Sequence, residues 1–404
     1  MGRNFRWLLA SSWITNIGDG LELAAGPLLI ASQTHAPFLV ALAVLLQRLP
    51  WLLFGLHAGA LADRLNRKVL VVAVNSARAL VLVTLAVTIV TGVVTIALVL
   101  VAMFLLGTAE VFADTTTSTL LPMVVEKRDL GIGNARIMAG MITANQMVGP
   151  PIGAALFALG MAFPFVIQAV CVALGAWLVS RMVTQVVPRA SEPSHVRRDI
   201  REGFRWTWGH APVRTLTLAI VTFNVTWGAA WSVLVLYSIQ VLGMGSVGFG
   251  MLTSVGAVGG LFGTAAYDWL ERRFSLAGIM RVGLTIETLT HLALAVNTSF
   301  VVALVIMFVF GAHAFVWGTT SRTVRMRAVP IEFQGRVASV YMVGVYGGLV
   351  VGSAVGGAIA GVWGVTAPFW FAFVGSAVIL ALIWRQLDNI AHADEAILAE
   401  SRGG

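Results

Sequence analysis

Asp19 and Glu22 lie three residues apart in an otherwise apolar stretch, so on a helix both carboxylates face one side. Asp19 is about 10 residues past the inner boundary of the first apolar stretch, roughly 15 Å deep at 1.5 Å per residue. Arg48 sits at a matching depth on the next apolar stretch. A carboxylate and a guanidinium at one depth are expected to pair. A carboxylate that is released from its arginine in one conformation can then take up a proton. Glu110, with Asp114 one turn further on, adds carboxylates on a fourth apolar stretch. The chemistry these groups offer is reversible proton binding. No phosphate-cradling loop, zinc-ligand spacing or nucleophile elbow occurs in the sequence, so it offers no support for ATP hydrolysis, a metal centre or covalent catalysis. The expectation is a protein that is not an enzyme, needs no cofactor and draws energy from a proton gradient.

The elements that carry these residues follow from composition. Of 404 residues, 58% are apolar and 11% charged. So few polar groups cannot clothe a water-soluble globule, which excludes soluble enzymes, nucleic-acid binders and disulfide scaffolds. The one cysteine, Cys171, is expected to be a small packed residue. Long continuous apolar runs near 7–31, 37–58, 69–91, 95–120, 137–159 and 161–182 are followed by a second set near 213–241, 247–267, 275–297, 299–321, 336–360 and 362–386. These runs predict an all-α membrane protein of twelve transmembrane helices. Lys and Arg concentrate in alternate connections, while those near His35, Gly92, Gly160, Gly243, Ser299 and Gly364 hold none. This asymmetry predicts that both termini are cytoplasmic.

The two sets repeat one another. Gly55 and Gly59 recur 204 residues later as Gly259 and Gly263, and Asp63, Arg67 and Lys68 recur 205 later as Asp268, Arg272 and Arg273. Arg136 recurs as Arg336, and Gly149 and Gly153 recur as Gly352 and Gly356. The expected organisation is an N-terminal six-helix bundle (1–182), a cytoplasmic linker (183–212), a pseudo-symmetric C-terminal six-helix bundle (213–386) and a cytoplasmic tail (387–404). In the linker, Val196, Ile200 and Phe204 recur at helical spacing among Arg197, Arg198, Arg201 and Arg205, predicting a basic amphipathic helix on the membrane surface.

The connection after the second run reads Gly59-Ala60-Leu61-Ala62-Asp63-Arg64-Leu65-Asn66-Arg67-Lys68. It resembles the loop signature of the major facilitator superfamily, G-x-L-A-D-R-x-G-R-R/K, with Asn66 in place of the usual glycine. Asn66 is expected to take the left-handed turn, and Gly59 to admit a close helix. The resemblance implies a gating latch of Gly59, Asp63, Arg64, Arg67 and Lys68, with Asp114 beside it. The fifth run, with Asn145, Gly149, Pro150 and Gly153, looks like the G-P-x-x-G-G element of the superfamily's drug:proton antiporters. Its prolines are expected to kink the helix. Asn16 to Asp19, Leu46 to Pro50 and Gly107 to Asp114 resemble the enterobactin-exporter and macrolide-efflux subgroup. Many proton-coupled members carry an arginine four residues before Gly107, where this chain has Met103.

The resemblance further implies that spans one, four, seven and ten line a midplane cavity. Asn16 and Glu110, Phe223, Asn224, Trp227 and Trp231, and His313 and Trp317 then fall in a substrate site suited to lipophilic, often cationic molecules. Glu287 and His291, at i,i+4 in the ninth run, read as a structural pair. The implied activity is proton-coupled efflux of small amphipathic compounds such as a drug, siderophore or natural product, by alternating access. A proton symporter or facilitator for uptake and a transport-inactive sensor or scaffold are the alternatives. Expected partners are the small-molecule substrate and membrane lipid, with no nucleic acid and no obligate protein partner. The expected state is a monomer in the cytoplasmic membrane.

Overall fold

The computed structural model of the chain describes residues 2–183 and 196–391, apart from the side chains of Ala60, Asp63, Val196, Arg197, Asp199 and Ala391. The described residues contain helices and no strand. In lipid a backbone must satisfy its own polar groups, and apolar runs of this length do so as helices.

The first part of the chain forms α1 (Arg3–Gln33), α2 (Pro37–Arg64), α3 (Arg67–Val90), α4 (Ile96–Val124), α5 (Leu130–Gly140), α6 (Gly149–Leu159) and α7 (Phe163–Ser180). A π-helical segment, Met141–Val148, joins α5 to α6, immediately before the Pro150–Pro151 pair. Thus the break in the predicted fifth span is a length of widened helix feeding two prolines, the local unwinding that missing backbone donors favour. The second part forms α8 (Val196–Gly209), α9 (Ala211–Trp231), α10 (Leu234–Gln240), α11 (Ser246–Arg273), α12 (Leu276–Val296), α13 (Phe300–Ala328), α14 (Gln334–Trp363), α15 (Ala367–Ile383) and α16 (Gln386–Ala391). Nine helical stretches among the described residues are long and apolar enough to cross a membrane. α15 is shorter, at 17 residues, and α1 is long but interrupted by Asn16, Asp19 and Glu22. The protein is a multi-pass membrane protein.

Contacts group the chain into two compact units, Met1–Ser194 with Ser238–Ser254, and His195–Tyr237 with Val255–Gly404. In the first unit α1 packs on α6 and α7, α2 on α4, and α3 on α4 and α7. Small residues set these distances. A Cβ on Gly149 or Gly153 of α6 would run into the α1 backbone at Gly20 or Leu21, and one on Gly107 of α4 would lie 2.8 Å from the Gln47 carbonyl. Gly250, at the start of α11, seats in the same way on Pro150 and Ala154.

In the second unit α9 and α14 share the longest contact. Gly348, Gly352 and Gly356 lay α14 against the α9 backbone at Val221, Val225 and Ala229. Leu216, Ile220, Phe223, Met280, Leu284 and Val324 belong to a buried apolar cluster there. α8 is fixed to the start of α14. Gly203 sits on the Arg336 backbone, Trp206 stacks on Phe333 at 5.8 Å, and Glu202 accepts from Arg198 at 2.7 Å and pairs with Arg336 at 3.1 Å. The hydrogen bond from Arg198, and then the charge of Arg336, hold the Glu202 carboxyl below its ordinary range.

The repeated glycines do not serve one purpose. Gly259 and Gly263 press α11 onto the backbone of α13, whereas nothing lies within 4 Å of where a Cβ on Gly55 or Gly59 would stand. The close contact expected at Gly59 is therefore absent among the described residues. Replacing Gly352 with Val is expected to cost about 1–3 kcal/mol by overpacking the α9–α14 line, while Gly361→Ala, where a Cβ meets nothing within 4 Å, is expected to cost nothing and to gain up to about 1 kcal/mol of helix propensity. Thermal unfolding of both purified variants in detergent checks the contrast.

Candidate functional site

Asp19, on the α1 face buried against its neighbours, forms an ion pair and hydrogen bond with Arg78 of α3. Both side chains are almost wholly enclosed, at 9% and 2% exposure. Arg78 also reaches Asn75, one turn earlier on α3, at 3.4 Å. Its Nε has no acceptor among the described residues. Both charges are buried, so each is stabilised chiefly by the other.

Glu22, one turn beyond Asp19, accepts hydrogen bonds from Gln168 of α7 and, at 3.3 Å, from Gln47 of α2. Gln47 Nε2 also contacts the Met103 sulfur of α4 at 3.3 Å. Five helices, α1, α2, α3, α4 and α7, therefore meet around two carboxylates and one guanidinium. Half-buried Glu110 on α4 is within electrostatic reach of Arg78, Asp19, Glu22 and Asp114. Asp114 is exposed and lies within the same reach of Arg78. Gly18 and Gly20 permit the crossing: a Cβ on Gly18 would stand 3.0 Å from Cys171, and one on Gly20 would stand 2.7 Å from the Ala144 carbonyl.

The arginine expected beside Asp19 was Arg48, and here the structure corrects the sequence reading. Arg48 is half-buried and forms no ion pair with any described residue, while Arg78 holds the carboxylate. Depth alone could not separate the two, because depth does not say which way a helix turns its side chain. The signal for Arg78 was present nonetheless: a lone arginine inside the apolar run, eleven residues beyond Arg67 and one turn after Asn75. It supplies a cation in a bundle whose fourth helix carries Met103.

The loop between α2 and α3 is built otherwise than expected. Asn66 has φ −66° and caps α3, its side chain accepting from the amides of Lys68 at 3.1 Å and Val69 at 3.3 Å. The position therefore needs a capping side chain, with no left-handed backbone. Arg67 donates to the carbonyls of Ala62 at 3.1 Å and Thr119 at 3.3 Å, and Lys68 to that of Met182 at 2.7 Å. These two cations tie α2, α4 and the end of α7 to the start of α3. Arg64 is exposed, and no ion pair joins it to Asp114 among the described residues. The side chain of Asp63 lies outside the described residues. In the antiporter-like element, Gly149, Pro150 and Gly153 are buried, and the Asn145 backbone faces Gly20.

Four of the expected cavity residues gather in the second unit. Trp227 and Trp231 are 5.1 Å apart and both meet Phe310, which leads to His313 at 6.3 Å and on to Trp317, 6.5 Å from His313. The three tryptophans are partly exposed, making an aromatic surface of the kind that binds flat or cationic apolar molecules. Phe223 does not join it: it is 4% exposed and lies in the buried cluster around Leu216 and Leu284. Asn224 donates to the Ile220 carbonyl at 2.8 Å, and Asn16, in the first unit, donates to the Ser12 carbonyl at 2.7 Å. Both amides bond to their own helices.

Glu287 and His291 are both buried, but Glu287 contacts His313 of α13 at 3.4 Å. Neither ring nitrogen of His291 has a partner among the described residues. The hydrogen-bond contact of Glu287 thus runs between helices, while His291 stays within its electrostatic reach. Gly283 makes it possible, since a Cβ there would stand 2.8 Å from His313 Nδ1.

A family model described as transmembrane secretion effector matches residues 2–400. The chain belongs to this family of major facilitator transporters. As a facilitator it shares its fold with solved structures of low sequence identity. A mutant of the nucleoside transporter NupG aligns with TM-score 0.77 and 12% identity over 95% of this chain and 100% of that one. A bacterial homologue of the human lysosomal transporter Spinster, inward-facing and occupied, aligns at 0.74 and 12% over 96% of each chain. A bacterial homologue of the iron transporter ferroportin, inward-facing, aligns at 0.72 and 15% over 96% of this facilitator and 98% of that chain. No curated protein matches the chain.

Removing one partner of the buried ion pair strands the other. Arg78→Gln is expected to destabilise the facilitator by about 3–5 kcal/mol, and the double variant Asp19→Asn/Arg78→Gln to recover much of that loss. Arg48→Gln is expected to be near neutral. Unfolding midpoints of the wild type, these three variants and Asp19→Asn check the cycle. Gly283→Ala, which pushes His313 off Glu287, is expected to lower the midpoint too, and Glu287→Gln to relieve part of that further loss.

Proposed function

We propose that this facilitator exports small amphipathic compounds in exchange for protons, by alternating access, through twelve spans with both termini in the cytoplasm. The observation that carries the reading is the enclosed Asp19–Arg78 pair, with Glu22 and Glu110 about it, inside an apolar bundle. Ionisable groups so placed are costly and are usually kept for function.

In the proposed cycle Asp19 is ionised while it holds Arg78. A proton arriving at Asp19 neutralises it and ends the ion pair. Arg78 then has Glu110 within electrostatic reach as its next carboxylate. The exchange shifts the balance between conformations because the proton binds one of them more tightly than the other. Glu22, held by Gln168 and Gln47, keeps α1 registered against α2 and α7 throughout. The partly exposed cluster of Trp227, Trp231 and Trp317 supports aromatic or lipophilic cations as cargo. The description of the family as secretion effectors agrees with export as the direction. The names of the structural neighbours, which include nucleoside and iron transporters, leave cargo to be decided by this chain's own side chains. The alternation of basic connections supports the orientation.

Inside-out vesicles with an acid lumen and a pH-reporting dye test the proposal. Adding a transported lipophilic cation is expected to alkalinise the lumen. Asp19→Asn is expected to abolish that coupled proton efflux while leaving binding of the compound, read by tryptophan fluorescence, within a few-fold of wild type. Undiminished coupled exchange in Asp19→Asn ends the coupling role of this pair. Silence of the folded wild-type protein across a panel of compounds overturns export in favour of uptake or a sensor role.

A further inference from the structure

The two faces of α8 are unlike, and only one is used by the fold. Gly203, Trp206 and Thr207 turn toward the second unit. Thr207 is 2% exposed, and a Cβ on Gly203 would have no room against the Arg336 backbone. This seat, with the Glu202–Arg336 pair at 3.1 Å, fixes the rotation of the helix about its axis.

The opposite face carries Arg201, Phe204, Arg205 and Trp208, at spacings of three and four residues. Phe204 and Trp208 are 51% and 49% exposed, yet they stack on each other at 5.2 Å. The stripe expected from Val196, Ile200 and Phe204 continues one turn on to Trp208. Phe204 pairs with Trp208 on the outer face, Ile200 is half-buried, and the side chain of Val196 lies outside the described residues. Arg201 and Arg205 are exposed and form no ion pair with a described carboxylate. Arg214 lies 6.0 Å over the Trp208 ring and donates to its carbonyl at 3.1 Å, holding that end of the face in place.

One further constraint identifies what meets this surface. α8 ends at Gly209 and α9, a membrane-length stretch, begins at Ala211. The end of α8 that carries Trp208 therefore lies within a turn of the bilayer. Paired aromatic rings beside arginines at that depth match the acyl-chain boundary and the phosphate layer of a lipid leaflet.

We propose that the outer face of α8 is a binding site for anionic phospholipid, with Arg201 and Arg205 on the headgroup phosphates and the Phe204–Trp208 stack against the adjoining acyl chains. Because the inner face is clamped to the start of α14, the bound lipid becomes a fixed part of the second unit. The inference is independent of the direction of transport and of proton coupling.

The test uses the full-length protein reconstituted in vesicles of phosphatidylcholine containing phosphatidylglycerol, with bromine on the acyl chains of one lipid or the other. The Trp208 signal is the difference between wild type and Trp208→Phe. Brominated phosphatidylglycerol is expected to quench it more strongly than brominated phosphatidylcholine. The preference is expected to fall about fivefold for each arginine lost in Arg201→Gln/Arg205→Gln, from about 1 kcal/mol per arginine at an anionic surface. It is expected to survive in Arg201→Lys/Arg205→Lys, since the leaflet is read as charge. Equal quenching by both lipids, or a preference unchanged in the glutamine variant, overturns the site. Quenching by neither lipid, with Trp208 open to aqueous acrylamide, overturns it in favour of a surface left free for a protein partner.

Discussion

Burying a carboxylate and a guanidinium away from both water and lipid headgroups is the constraint on which the first unit turns. The desolvation cost is several kcal/mol per ion, and only close, well-bonded opposition offsets it. Asp19 and Arg78 meet this condition only if α1 and α3 are held at one distance and rotation. Much of the surrounding packing serves that end. Gly18 and Gly20 let α1 settle against α7 and the π-helical segment, and Gly149 and Gly153 let α6 close on the other side. Glu22, Gln168, Gln47 and Met103 carry the polar contacts onward to α2, α4 and α7.

The second unit solves a different problem with the same material. Its glycine line on α14 brings two helix backbones together without a charge between them, and its polar centre is the contact between Glu287 and His313. Sequence repetition between the halves therefore preserves places in the chain more faithfully than it preserves contacts. Gly259 and Gly263 are packing positions; their counterparts Gly55 and Gly59 stand beside open space. Small residues permit close approach, but a neighbour must still be placed there to use it.

The class of protein was legible in the sequence because it depends on composition and run length alone. A chain that is 58% apolar in runs of membrane length has to form helices in lipid, and that needs no knowledge of neighbours. The loop from Gly59 to Lys68 and the Gly149–Pro150–Gly153 element pointed to the major facilitators for the same reason, as local patterns. Asp19, Glu22 and Glu110 were found by their depth in apolar runs, and Trp227, Trp231, His313 and Trp317 by helical spacing.

Partners were another matter. Arg48 and Arg78 are both arginines inside apolar runs, and only the packing of α3 beside α1 selects Arg78. His291 is the nearer histidine to Glu287 along the chain, but α13 brings His313 to it across helices. Phe223 shares a helix with Trp227 and Trp231, yet the rotation of α9 turns it into the buried cluster. Asn66 looked like a substitute for glycine and proved to be a cap, because its carbonyl oxygen finds the Lys68 and Val69 amides. The sequence by itself determined the solvent, the helices and the ionisable residues among them. Which helix faces which, and so which charge meets which, was decided by tertiary packing, because spacing along a helix sets relative direction and only a neighbouring helix sets what lies there.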